Sequence, residues 1–524
     1  MDRKIRYRKL FCAFLTLFTL SYLVWRIGFS IPYDHGTLSV VLGWVLMAAE
    51  LVGAAELLVY FWLDTGGIPA VPHKTNQPDV DVFVTACGEP VELLERTLKA
   101  CKAMRYKGRF QVYLLDDKPS EEMRSMAEGL GAVYFTREEH VNAKAGNLNA
   151  AIARTSAPLI AVFDADMCPR KNFLERTTTY MSKKMAYVQT PQSFRNPDLF
   201  QAAFGGRKSV PGEQDFFYRS IEPARNRTNA VVLAGSNMLL SRKALEDVGG
   251  FDTQTLTEDF ATGIELLKKG WQTSCTDETL ADGLSPDSLK GLIRQRRRWA
   301  TGCIQAGKQT EFMSSKNLRM RQKLSYIISI SYWYFPVKRL IYFLAPLAFA
   351  IAGVTVMRCT PVTAAIFWLP MFLLTNIGII WYSKRTRTVG WSMLYETVLS
   401  PFLFTAVLGA TFGKGGKVFE VTDKSGRKGW SAAYLLPFIA GAALNIWGLV
   451  SAIDMSRQDG TWYYILLILW IVYHLYMQVC AFVFVLSSRK NRTVDEDAEP
   501  EDVVPKKNWY SKIKLIQLLT GFGK

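Results

Sequence analysis

The stretch Leu159-Ile160-Ala161-Val162-Phe163-Asp164-Ala165-Asp166 decides the fold of this chain. Its five apolar residues read as a buried strand, and the strand ends on an aspartate with a second one two residues later. The same grammar repeats upstream. Asp81 to Thr85 reads as a strand and Pro90 to Met104 as a helix. Phe110 to Leu115 is a second strand ending in Asp116-Asp117, and Met123 to Leu130 is helical. Asn142 to Thr155, Ala-rich with Asn and Lys on one side, is a further helix. Strands alternating with helices imply a largely parallel sheet covered by helices on both faces. Ligands of such sheets sit beyond the carboxyl ends of the strands. Both acidic pairs fall there, and that shared position says more than either pair alone.

Apolar runs flank this region. Phe11 to Phe29 and Leu38 to Leu63 precede it and read as transmembrane helices. The first has no small-residue cleavage site after it, which argues against a signal peptide. Glu50 and Glu56 lie inside the second, so each needs either a helix partner or a watery path. Downstream, Tyr342 to Met357, Thr363 to Tyr382, Leu435 to Ile453 and Trp462 to Leu486 read as spans, and Ser325 to Phe335 as interfacial. Thr388 to Phe412 contains Glu396 and Pro401. If it is interfacial or re-entrant, Lys384-Arg385, Lys414, Lys417, Lys424, Arg427-Lys428 and Arg489-Lys490 all fall on one side. The excess of basic residues on cytoplasmic loops then favours about six spans with both termini inside. The expected division is a helix pair at 1–63, a water-soluble unit at 64–316, a membrane unit at 317–488 and a tail at 489–524. Within the tail, Trp509 to Leu519 is expected as a basic amphipathic helix on the membrane.

Composition agrees. The chain is 49% hydrophobic but still 21% charged, which suits a membrane protein carrying a water-soluble domain. The net charge of +17 is spread around apolar runs instead of forming one stripe, so it points to the inner leaflet and not to nucleic acid. The eight cysteines show neither CxxC nor His-rich spacing, which leaves no zinc site or disulfide framework indicated.

The chemistry lies in four places. Asp164 and Asp166 can hold Mg²⁺ or Mn²⁺ through oxygen ligands and leave positions for diphosphate. Thr257-Glu258-Asp259 opens a helix, Phe260 to Lys269. Acids favour helix N-termini in any case, but one here can also serve as a general base toward an acceptor hydroxyl. Gln295-Arg296-Arg297-Arg298-Trp299 puts an amide, three guanidiniums and an indole on a helix, suited to diphosphate and to a sugar face. Lys118, Lys144 and Asn147 lie near the same sheet edge and can reach phosphate or ribose.

Together, Asp117, Asp164-x-Asp166, Thr257-Glu258-Asp259 and Gln295-x-x-Arg298-Trp299 resemble the D, DxD, TED, QxxRW pattern of processive family 2 glycosyltransferases. Phe419-x-Val421-Thr422-x-Lys424 is similar to the gating loop of cellulose synthases. Gln189-Thr190-Pro191, Gly270-Trp271 and Gly283-Leu284-Ser285-Pro286 agree with that family. The resemblance implies an α/β GT-A domain inserted in an α-helical membrane domain, with a polysaccharide channel beside it. It implies Asp259 as base next to Glu258, with Asp164 and Asp166 at the metal and the nucleotide sugar. Thr85, Glu89 and Asp117 would frame uridine, and Lys144, Gln295 and Arg298 would bind the donor. Thr422 and Lys424 would close over the diphosphate, while Trp299, Gln189 and Thr190 would stand on the acceptor side.

The expected function is inverting, processive transfer from UDP-glucose or another UDP-hexose onto a growing β-linked polysaccharide. The polymer would pass through a plasma membrane, with the catalytic domain and both termini cytoplasmic. Departures from the cellulose synthase pattern occur at Gly88, at Gln192-Ser193 and over Glu222 to Ala230. They favour a non-cellulosic β-glucan or capsule. Cellulose synthase proper stays open, as does a non-processive enzyme acting on lipid; a transporter with a degenerate cytosolic domain is the non-enzymatic rival. The stretch after the last span is too short for a PilZ domain, so regulation by cyclic-di-GMP is not expected. The sequence leaves a homo-oligomer open.

Overall fold

Leu159–Asp164 is a central strand, with its first five residues buried and Asp164 at the rim. The computed structural model describes residues 3–64, 77–204, 210–383, 387–413 and 430–489. Its main sheet has seven strands: β1 (Val80–Ala86), β2 (Phe110–Asp116), β3 (Val133–Phe135), β4 (Leu159–Asp164), β5 (Met185–Gln189), β6 (Met238–Ser241) and β7 (Gln272–Cys275). The order is β3-β2-β1-β4-β6-β5-β7. β1 pairs parallel with both β2 and β4, in the registers Thr85 opposite Leu115 and Thr85 opposite Asp164. β6 runs antiparallel to both of its neighbours, and β5 and β7 are parallel to each other. The sheet is therefore largely parallel, with one reversed strand.

Alternation along the strands feeds two cores. Val82, Val84, Ala161 and Phe163 pack with Leu94 and Leu98 of helix α3 (Val91–Lys102) and Met123 of α4 (Glu121–Gly129). Phe83, Ile160 and Val162 point the other way, toward Leu148 of α5 (Ala143–Arg154) and Leu266 of α6 (Glu258–Lys268). This period of two, with both faces apolar, is what a sheet sandwiched between helices requires. The exception is Asp81, buried within β1. Its carboxylate accepts from Arg242 at 2.8 Å and from the Ala157 amide at 2.9 Å. Arg242 also donates to Ala157 O, Ile152 O and Thr155 Oγ1, which ties the end of α5 to the start of β4.

Outside the sheet the chain is helical: α1 (Arg3–Trp25), α2 (Thr37–Asp64), α7 (Leu289–Gln309), α8 (Met320–Tyr332), α9 (Phe335–Ala352), α10 (Leu369–Tyr382), α11 (Val389–Phe412), α12 (Leu436–Gln458) and α13 (Ile465–Ser487). Among the described residues seven helices are long and apolar enough to cross a membrane by length and composition. Six correspond to the expected spans and the seventh is α11. α11 lies along α7. Tyr395 near its start bonds Arg296, and Ala410 near its end accepts from Lys308 at 2.8 Å. The span expected to start at Tyr342 begins instead at Phe335. It stops at Gly353, which takes the left-handed conformation (φ +67°) that ends helices.

The charges inside these helices are paired. Glu50 accepts from Arg26 at 2.7 Å, Glu56 from Lys338 at 2.6 Å and Glu396 from Arg339 at 2.7 Å. Trp509 to Leu519 lies outside the described residues. All eight cysteines are free thiols.

Breaking a buried ion pair from one side strands the other charge. Arg242→Met is therefore expected to lower stability by about 3–5 kcal/mol, and adding Asp81→Asn should recover much of the loss. Thermal unfolding of the purified full chain checks both.

Candidate active site

The C-terminal edge of the sheet borders a cavity of about 460 Å³. Its wall holds Thr85, Glu89, Asp117, Lys144, Asn147, Asp164, Asp166, Glu258, Asp259, Gln295, Arg298 and Trp299, residues spread over more than two hundred positions of sequence.

β4 and the turn before β6 build the acidic centre. The Asp164 amide donates to Ser236 Oγ at 2.9 Å. Lys144, from the first turn of α5, donates to Asp164 Oδ1 and to the Gly235 carbonyl, the latter at 2.7 Å. Burial pulls the Lys144 ammonium down, but Asp164 and Glu258 outweigh it and leave its pKa above the ordinary value. Asp166 is buried and its Oδ2 accepts from the Leu284 amide at 3.1 Å. Arg195 secures that turn through the Asp166 carbonyl and Asp282 Oδ1, both at 3.0 Å. The carboxylates at 164 and 166 fit a hard divalent cation, and Lys144 already brings a positive charge onto Asp164. Among the described residues no group of three or more metal-ligating side chains occurs. Two carboxylates alone suit an ion that also binds a ligand's oxygens.

Glu258 and Asp259 begin α6, where the helix dipole favours acids. Asp259 Oδ1 accepts from the Phe260 amide at 2.7 Å. Burial first, then the neighbouring Glu258, push its carboxyl up to about 7, against the lowering effect of that hydrogen bond and of Lys144 and Arg298. A carboxylate so placed is a base poised near neutral pH. Gly235 makes room for it. With φ +79°, a Cβ there would stand 2.5 Å from Asp259 Oδ2.

At the opposite end Asp117 is gripped by Arg137, with Nε to Oδ1 at 2.7 Å and Nη2 to Oδ2 at 2.8 Å. Arg137 also donates to Val141 O and Ala143 O, folding the loop that starts α5 onto Asp117. Glu89 Oε2 accepts from the Cys87 amide at 2.6 Å. Asp116 is fully buried and takes Tyr134 and the Lys118 amide, so it serves the fold. The cavity wall does not include Lys118.

On α7, Gln295, Arg298 and Trp299 stand at i, i+3 and i+4, hence on one face, and all three reach the cavity. Trp299 meets Trp333 edge to face, with ring centroids 6.5 Å apart. The catalytic wall thus touches the turn between α8 and α9.

Comparison with known proteins agrees with this geometry. The pattern described as "Glycosyltransferase like family 2" matches residues 78–302, and that described as "Cellulose synthase" matches residues 243–389. Cellulose synthase 1 catalytic subunit of Komagataeibacter xylinus is 32% identical over 81% of this chain and 58% of its own length. Cellulose synthase 2 of Novacetimonas hansenii is 33% identical over 78% of this chain and 26% of its own. The cellulose synthase catalytic subunit of Pseudomonas fluorescens is 29% identical over 82% and 60%. This chain belongs to the family 2 glycosyltransferases, within the cellulose synthase superfamily. It spans between about a quarter and three-fifths of the length of those relatives.

Two expectations drawn from the family pattern need correction. Gln189 and Thr190 do not reach the cavity; both are fully buried. Gln189 spans the turn before β6, donating to Ser236 O at 2.8 Å and accepting from the Ala234 amide at 2.9 Å. Thr190 donates to Asn237 O at 2.8 Å. They shape the turn that carries Gly235 and do not form an acceptor surface. The stretch Glu222 to Thr228 is also structural. Glu222 is fully buried against Arg225 at 2.9 Å, and Asn226 holds both the amide and the carbonyl of Cys275 in β7. Of the departures from the cellulose synthase pattern, Gln192 lines the cavity and Gly88 does not. Thr422 and Lys424 lie outside the described residues.

Arg137, Gly235 and Ser236 do not stand out from the sequence alone. Ala234-Gly235-Ser236-Asn237 does carry a signal, since four small or turn-forming residues directly precede a strand. Arg137 carries none.

Asp259 can accept a proton only when ionised. Turnover is therefore expected to fall as pH drops through about 7, well above the range of an ordinary carboxylate. Asp259→Asn should lower turnover by about 10²–10⁴-fold. Gly235→Ala, which crowds that carboxylate, should cost about tenfold or more while the protein stays folded. A pH–rate profile of donor consumption, with thermal unfolding as control, reads all three.

Proposed function

We propose that the protein is an inverting, processive glycosyltransferase that polymerises glucose or another hexose from a UDP-sugar into a β-linked polysaccharide and passes the product across the plasma membrane. The observation that carries this reading is the single cavity shared by Asp164, Asp166, Asp259, Gln295, Arg298 and Trp299. An acceptor hydroxyl beside Asp259 gives up its proton to that carboxylate. The hydroxyl oxygen bonds to the anomeric carbon from the side opposite the diphosphate, the carbon–oxygen bond to UDP breaks, and the configuration inverts. Arg298 and Lys144 offer positive charge to the departing diphosphate. Asp164 and Asp166 would hold Mg²⁺ or Mn²⁺, which supplies charge neutralisation at the diphosphate when bound. Thr85, Glu89 and Asp117 lie where a nucleoside would be received, and Trp299 offers a face to the acceptor sugar.

Translocation is supported by the helices beyond Trp299. Past Trp333, α9 carries Lys338 and Arg339, paired to Glu56 and Glu396 on two different helices. Tyr342 lies one turn further, its hydroxyl against Gly53 between Glu50 and Glu56 on α2. Polar groups in this order suit the passage of a hydroxylated chain. The catalytic domain is then cytoplasmic, with α11 along the membrane surface because it lies against α7 of that domain.

The linkage has two candidates. Gln192 in the cavity wall favours a non-cellulosic polymer, and the relatives named as cellulose synthases favour β-1,4-glucan. Purified protein in liposomes, supplied with individual UDP-sugars and Mg²⁺ or Mn²⁺, is expected to release UDP and to make a polymer that one class of linkage-specific hydrolase degrades. A chelator should stop both. UDP release with only single-sugar additions to lipid would refute the processive reading.

A further inference from the structure

Arg296 stands within Gln295 to Trp299 but does not line the catalytic cavity. It is 2% exposed and flanks the cavity-facing residues of α7. Its guanidinium makes three hydrogen bonds in three directions: Nε to Tyr395 Oη on α11 at 2.8 Å, Nη1 to Gln295 Oε1 at 2.9 Å, and Nη2 to Glu213 Oε1. Its guanidinium carbon lies 4.2 Å from the centroid of the Trp299 ring. Burial opposes the charge, yet Glu213 and Tyr395 hold the guanidinium pKa above its ordinary value.

These contacts do specific things to two residues that do reach the cavity. Arg296 occupies the oxygen of the Gln295 amide, so the amide presents its NH₂ end, a donor suited to a phosphate or sugar oxygen. A planar cation over the Trp299 indole, itself locked by three hydrogen bonds, restricts the tilt of the ring. The lock is completed by a helix outside the sheet domain.

We propose that Arg296 is a positioning residue which, through Tyr395 of α11 and Glu213, sets the acceptor platform Trp299 and the donor end of Gln295. This rests on the polymerase reading proposed for the site. It predicts that loosening the junction harms the repeated seating of the chain end more than it harms donor binding, for which Lys144 and Arg298 remain in the cavity wall. Donor that is activated without a seated acceptor is lost to water, with free hexose and UDP as products.

The test uses the full chain in liposomes with UDP-glucose, together with Tyr395→Phe, which removes one hydroxyl, and Arg296→Lys, which keeps the charge but not the fork. UDP binding should match wild type within about twofold in Tyr395→Phe, and in Arg296→Lys it should weaken clearly less than transfer does. Transfer should fall about tenfold or more, the polymer should shorten, and the share of UDP-glucose hydrolysed to free glucose should rise. Wild-type polymer length in both variants would overturn the inference. So would a parallel fall of UDP binding, transfer and thermal stability, which is the mark of a merely structural residue. If the wild-type protein itself makes no polymer from any UDP-sugar, the polymerase reading fails and this inference falls with it. A wild-type protein that polymerises beside variants that do the same refutes the inference alone.

Discussion

The Lys144 ammonium is the contact on which the site depends. It joins the first turn of α5 to the end of β4 and to the turn before β6, three pieces far apart in sequence. Three of the carboxylates in the cavity wall, Asp164, Glu258 and Asp259, act directly on this ammonium. Without a buried cation among them their mutual repulsion would drive them to protonate or to separate. Because Lys144 also holds the Gly235 carbonyl, it fixes the one residue whose missing Cβ leaves space for Asp259. The charge that steadies Asp164 therefore also shapes the pocket of the base.

The first half of the sheet was legible because its physics is local. A strand buried on both faces must be largely apolar, and β4 says so in five consecutive residues and β1 in all but Asp81 and Thr85. The acids at the rims then mark the ligand edge. β5, β6 and β7 are less legible. They are short and carry Gln189, Ser241 and Gln272, and the reversal of β6 has no signature within its own four residues. The roles of Gln189, Thr190 and Glu222 were hidden for a similar reason. A polar side chain in a motif looks the same whether it greets a substrate or satisfies a buried turn, and burial separates the two. Arg137 was invisible because its partner is set by how a loop folds back, with no periodic spacing to announce it.

α11 shows where composition and packing speak to different questions. Its residues are apolar enough to place it with six other long helices, and Pro401 does not interrupt it. Its neighbours come from both units: Arg296 and Lys308 of α7 hold it at both ends and Tyr334 bonds Thr411, while Glu396 pairs with Arg339 of α9 and Leu399 and Leu403 share a core with Phe484 of α13. Through Tyr395 and Arg296 this helix is linked to Trp299 in the cavity wall as well as to the other long helices.

The ion pairs of the long helices carry a consequence for how the molecule is made. Arg26 and Glu50 lie on consecutive helices and can meet as soon as both have left the ribosome. Glu56 sits on the same helix as Glu50, yet its cation is Lys338, which is synthesised only after the whole sheet domain. The second helix therefore completes its electrostatic partnership late, and the assembly of the membrane part cannot close until the catalytic part has already been built.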